Sequence, residues 1–252
     1  MSFFPHIVAG PILRASELVE QLGRPQPLQA RDLKLGTLIF MGGLIKKVLF
    51  ADNLAGVADD LLAHPERLDS ATAWLGVTAF ALQIYFDFSG YSEMAIGLAR
   101  VFGITLSRWL RDYLYVSLGG NRRGGARTLV NLMITMVLGG LWHGAAWTFV
   151  IWGALHGGWL VLHWLLKRWL PAPGAALPAA LYAAFSWAVS MVIVWVTWVF
   201  FRAPGMDAAL TLCGRMFGLS AASGAVPEAR SFVWSLTVLS MVLILLEPRL
   251  VG

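Results

Sequence analysis

The sequence predicts an all-α integral membrane protein, a bundle of five or six membrane-embedded helices. Three observations predict it. The first is composition: of 252 residues, 58% are hydrophobic and 13% charged, against roughly 25% charged in soluble domains. The second is the length of the charge-free runs. No Asp, Glu, Lys or Arg occurs over the 39 residues from Thr128 to Leu166 or the 33 from Trp169 to Phe201. The third is the abundance of Trp (12) and Gly (26), residues that favour membrane interfaces and transmembrane helices. A mean hydropathy of +0.69 excludes intrinsic disorder, which requires low hydrophobicity.

Taken in order, Gln21–Lys34 reads as a polar connector. Gly36–Ala51 is the weakest span candidate, because Lys46 and Lys47 interrupt it. Ser70–Phe86 follows, with 17 uncharged residues. The run from Thr128 would be about 58 Å long as one helix, roughly twice the hydrocarbon thickness. It must therefore cross, turn and return, with the turn expected near Gly139-Gly140 or Gly144. Prolines 171, 173 and 178 mark an interfacial loop before a span from about Leu181 to Phe201. Ser231–Leu246, with 16 uncharged residues, is the last candidate. Residues 1–252 read as a single membrane domain. Met1-Ser-Phe-Phe-Pro-His lacks the basic n-region of a secretory leader.

The net charge is +5. Arginines 108, 111, 122, 123 and 127 cluster around one acid, Asp112. Apolar segments flank this stretch on both sides, so it reads as a cytoplasmic, positive-inside connection rather than a nucleic-acid patch. A single Cys213 excludes an intramolecular disulfide framework and any multi-cysteine metal site.

Polar residues within apolar runs are costly, and each is a functional candidate. His143 lies in Gly139-Gly-Leu-Trp-His-Gly-Ala-Ala146, midway through the longest run. Small neighbours let a substrate or another backbone approach the imidazole, which suits a general base toward a hydroxyl. The competing reading is a packed histidine bonded to a neighbouring helix. His156 and His163 share a helical face, but two turns separate them by about 10 Å, too far for one metal ion. His64, before Pro65, reads as solvated. Asp87, in Gln83-Ile-Tyr-Phe-Asp-Phe-Ser-Gly-Tyr-Ser92, either ends a helix at the interface or anchors a buried network; a cap or an arginine partner is the plainer alternative. Arg111-Asp112 with Gly119-Gly-Asn-Arg-Arg-Gly124 forms a further cluster that suits anion binding.

These segments together resemble the membrane-bound O-acyltransferase (MBOAT) family, in its bacterial polysaccharide-modifying branch. The resemblance rests on Phe3-Phe-Pro-His-Ile-Val-Ala-Gly-Pro11, Ile45-Lys-Lys-Val-Leu-Phe-Ala-Asp52 and the Gln83–Ser92 segment. It continues through Trp109-Leu-Arg-Asp-Tyr-Leu-Tyr115, Leu118-Gly-Gly-Asn-Arg122, Gly140-Leu-Trp-His-Gly144 and Val199-Phe-Phe-Arg202.

The resemblance implies a multi-pass protein of the bacterial inner membrane with His143 as its essential histidine. Asp87, Tyr91, Arg111, Asp112, Asn121, Arg122, Trp142 and His156 are the candidate supporting or tunnel residues. The implied reaction moves an acyl group, usually acetyl, from a cytoplasmic donor (acetyl-CoA or an acyl carrier) to hydroxyls of an extracytoplasmic polysaccharide such as alginate. Extracytoplasmic acetylation proteins are the implied partners. Neither a bound cofactor nor a metal is implied. Set against the family pattern, the chain reads as N-terminally truncated. It also reads as internally deleted near Gly103–Thr105, where a Phe-Trp-Arg-Arg-Trp-His element is missing. A catalytically inactive homologue, or a binding subunit of an acylation complex, is the alternative reading.

Overall fold

A computed structural model describes residues 29–101, 125–169, 179–220, 234–235 and 237–242. Among these, every regular element is helical. We number the α-helices α1 (Ala30–Ile45), α2 (Asp52–Leu62), α3 (Ser70–Val101), α4 (Gly125–His143), α5 (Trp147–Trp169), α6 (Ala179–Arg202) and α7 (Met206–Met216). A π-helical segment, Lys46–Ala51, joins α1 to α2, and a 3-10 turn, Pro65–Arg67, precedes α3. Helix α1 begins within the stretch expected to be a polar connector, at Ala30 rather than after Lys34. Asp32 in its first turn favours this start, because a carboxylate there offsets the helix dipole.

Three helices are long and apolar enough to cross a membrane among the described residues: Gly125–His143, Trp147–Trp169 and Leu181–Arg202. The long uncharged run therefore crosses and returns as expected. Its turn falls at Gly144, the second of the two expected places, between α4 and α5. The Pro171–Pro178 loop and half of Ser231–Leu246 lie outside the described residues.

The contacts divide the chain into two compact units. In the first, α1 lies against the later turns of α3. Arg100 Nε donates to Asp32 Oδ1 at 3.2 Å, so the start of one helix meets the end of the other. Between these ends the backbones touch. A Cβ on Gly36 would stand 2.7 Å from the Gly97 carbonyl oxygen, and one on Gly90 would stand 2.7 Å from that of Gly43. Such small-residue crossings gain close dispersion contact where lipid leaves no hydrophobic driving force between helices.

The second unit holds α4 to α7 with the 3-10 turn and the first turns of α3. Helices α4 and α5 form an antiparallel hairpin closed by another glycine series. A Cβ on Gly140 would collide with the Phe149 carbonyl oxygen, and one on Gly153 with that of Met136. Further along, Gly157 faces Met133 and Gly125 faces the Trp164 ring. Helix α7, too short to span, ends in a left-handed Gly218 (φ 67°). Leu219 N–H donates to the Gly214 carbonyl and Gly218 N–H to that of Arg215, at 2.8 and 3.1 Å, the Schellman pattern that satisfies terminal carbonyls. Ser70 Oγ and Trp74 Nε1 both donate to the Met216 carbonyl at 2.8 Å. These bonds fasten α7 to the start of α3.

Candidate active site

His143 is the last residue of α4, at the tip of the α4–α5 hairpin. The sequence midpoint of the uncharged run thus becomes the turn between two spans, not the middle of one. With α4 about 28 Å long, the imidazole sits at the end of a full crossing. It is solvent-exposed on one side. Aromatic rings cover the other: centroids of Trp142, Phe149, Trp152 and Phe201 lie 5.4, 6.3, 5.5 and 5.0 Å from that of His143. Phe201 also meets Phe149 and Trp152 edge-on, at 5.2 and 5.3 Å. The hairpin turn brings Phe149 and Trp152 back toward His143, and the end of α6 delivers Phe201. Trp142 and Trp147, on either side of the turn, are each 76% exposed, as interfacial tryptophans are.

His156 lies one helical turn beyond Trp152 on the same face of α5, with ring centroids 4.8 Å apart. Its Nε2 is 2.8 Å from Thr197 Oγ1 on α6. His163 is exposed near the basic end of α5, beside Lys167 and Arg168. Among the described residues no group of three His, Cys, Asp or Glu side chains is placed to hold a metal ion.

Asp87 and Tyr91 belong to the first unit, one turn apart on α3. The helix runs straight through Asp87, which corrects the expectation that this acid ends it. Its partner is a lysine, not an arginine: Lys47 Nζ lies 2.6 Å from Asp87 Oδ1 and 2.8 Å from Asp52 Oδ1. Lys46 pairs with Glu93 beside it. The wider π turn is what aims consecutive lysines at two α3 carboxylates, since it changes the angular step between neighbours. Asp87 itself is 53% exposed, so it anchors a helix crossing at the surface and not a buried network. Arg111, Asp112, Asn121 and Arg122 lie outside the described residues.

Sequence reasoning missed Trp152, Phe149 and Thr197. Phe201 stood inside the quoted Val199–Arg202 motif, but nothing in its spacing tied it to His143.

Residues 97–203, which include His143 and all four rings around it, match the family model "MBOAT, membrane-bound O-acyltransferase family". This segment belongs to the MBOAT family. Phe201 falls within the same match, so the whole aromatic setting of the histidine lies in the MBOAT segment. Over 241 residues the chain is 43% identical to the probable alginate O-acetylase AlgI of Azotobacter vinelandii, covering 86% of this chain and 46% of that protein. It is 37% identical over 249 residues to the peptidoglycan O-acetyltransferase of Helicobacter pylori, covering 88% and 46%. A teichoic acid D-alanyltransferase of Lacticaseibacillus rhamnosus is 24% identical over 189 residues, covering 59% and 47%. The chain spans about half the length of the curated relatives it matches.

Proposed function

We propose that the MBOAT chain takes part in O-acylation of an extracytoplasmic polysaccharide, with His143 as the general base and acetyl as the transferred group. The observation that carries this reading is the placement of His143 on the uncharged tip of a hairpin whose other end is basic. Arg127 stands near the start of α4, and Lys167 and Arg168 close α5. The positive-inside rule assigns the basic end to the cytoplasm and the tip to the opposite face, where a polysaccharide hydroxyl is found. The names of the alginate and peptidoglycan O-acetylating relatives support the same acceptor class and the same group.

In the proposed step the imidazole nitrogen takes the hydroxyl proton as the oxygen attacks the acyl carbonyl. The C–O ester bond forms, the carbonyl–sulfur bond of a thioester donor breaks, and the imidazolium returns its proton to the leaving thiolate. The four rings exclude water from one side of the imidazole, which suppresses hydrolysis of the activated acyl group. The thioester is acetyl-CoA or an acyl carrier whose acyl-bearing arm reaches from the cytoplasmic side across the membrane to the imidazole, and extracytoplasmic acetylation proteins of the bacterial inner membrane complete the path to polymer.

The test uses membrane vesicles bearing the protein, radiolabelled acetyl-CoA and an unacetylated uronate polymer. H143A is expected to lower label transfer at least about 100-fold while its level in the membrane stays unchanged. Undiminished transfer by H143A overturns the assignment.

A further inference from the structure

We infer that His156 and Thr197 form a positioning pair that holds Trp152 edge-on against His143. The inference rests on the reading of His143 as the base, and it adds residues to which that reading gives no role.

Two helices meet here in two rungs. Trp152 and His156 are four residues apart on α5, and Thr197 and Phe201 are four apart on α6, so each pair shares a face. One rung is aromatic, with Trp152 and Phe201 centroids 5.3 Å apart. The other is polar, with His156 Nε2 2.8 Å from Thr197 Oγ1. The direction of that hydrogen bond follows from proton counting. A hydroxyl carries one proton, and Thr197 Oγ1 donates it to the Val194 carbonyl at 2.8 Å, the local back-bond that helical threonines favour. Its lone pairs are left to accept, so His156 donates from Nε2. Thr197 is 2% exposed, which shields this bond from competing water.

Trp152 needs such support. Its indole N–H is buried and has no acceptor among the described residues, so none of those residues fixes the ring through a hydrogen bond to it. Its orientation is set by what it packs on: His156 at 4.8 Å, Phe201 at 5.3 Å and His143 at 5.5 Å. A turned His156 releases one side of Trp152, and the wall behind His143 loosens. Misplacement of a base by a fraction of an ångström is costly to rate and leaves donor binding alone.

The experiment compares T197V, which keeps shape and removes the acceptor, with T197S, which keeps the hydroxyl. Protein labelled with 5-fluorotryptophan, in detergent, is followed by fluorine NMR, the Trp152 signal being identified by its loss in W152F. The expected result is a shifted or split Trp152 signal in T197V and a native one in T197S. In the vesicle assay T197V should lose about ten-fold in kcat with KM for acetyl-CoA unchanged, and T197S should restore it. A native Trp152 signal together with native kcat in T197V overturns the pair. H143A separates the two ideas: if it transfers acetyl normally, the base assignment falls and the fluorine signal alone judges the pair. If H143A is inactive while T197V is native in both readouts, only the pair falls. Should T197V fail to reach the membrane, H156Q, which keeps an N–H donor, against H156L makes the same comparison.

Discussion

Gly140 of α4 lies directly beneath the Phe149 carbonyl of α5, so close that a single methyl group would strike the oxygen. This contact sets how tightly the hairpin closes and thereby where His143 meets Phe149 and Trp152. G140A and G153A must each push two backbones apart, because the obstacle is a carbonyl and not a flexible side chain. We expect each to cost about 1–3 kcal/mol. G139A, which meets open space, should lose nothing and gain up to about 1 kcal/mol of helix propensity. Thermal denaturation of the three variants in one detergent checks the ranking; equal loss in all three refutes it.

The lysine pair on the π turn should contribute unequally. Lys46 and Glu93 are 17% and 27% exposed, Lys47 and Asp87 39% and 53%. Solvent weakens the second pair, so D87N is expected to cost about 0.5–1 kcal/mol. E93Q leaves a more enclosed ammonium with less compensation and should cost about 1–3 kcal/mol. Denaturant titration of the two variants orders them, and a larger effect of D87N would contradict the burial argument.

At the end of α7 two donors share one carbonyl. W74F removes the Trp74 bond to Met216 and should cost about 1 kcal/mol. G218A forces an alanine into a left-handed backbone and should cost about 1 kcal/mol. The two act on one cap, so the double variant should fall short of the sum. Full additivity in a double-mutant cycle would show that the capping turn and the Trp74 bond are independent.

Burial pushes the Cys213 thiol up from its ordinary range near 9. Less thiolate is then present at pH 8 than on a free thiol. Maleimide labelling should be slower than for a small thiol and should accelerate as pH rises beyond 9. The linked stability has a definite sign: a raised folded value favours the protonated, folded state. Its contribution is therefore present below the unfolded value and lost as pH rises through the folded one. C213S should remove that alkaline dependence, and a pH profile identical to the parent would refute the link.

Much of the fold is legible in the chain. A 39-residue uncharged run cannot remain one helix in a bilayer of ordinary thickness, and Gly144 is where it turns. His143 stands out as an imidazole near glycines in an apolar run, but the residues alone leave a packed, helix-bonded histidine as open as a general base. Asp87 misled for an identifiable reason. Charge in an apolar pattern looks like a boundary when the partner is unknown, and its partner lies forty residues earlier on a π turn that consecutive lysines do not announce.

Composition and charge spacing suffice to commit this chain to membrane helices, because transfer of charged groups into hydrocarbon is costly wherever they sit along it. Which rings surround His143, and the bond between His156 and Thr197, depend on helix rotation and depth. Those are decided by glycine contacts between backbones and by side-chain packing across α4, α5 and α6. Apolar length carries no information about either, so only the folded arrangement could assign Trp152 and Phe201 to His143 and Thr197 to His156.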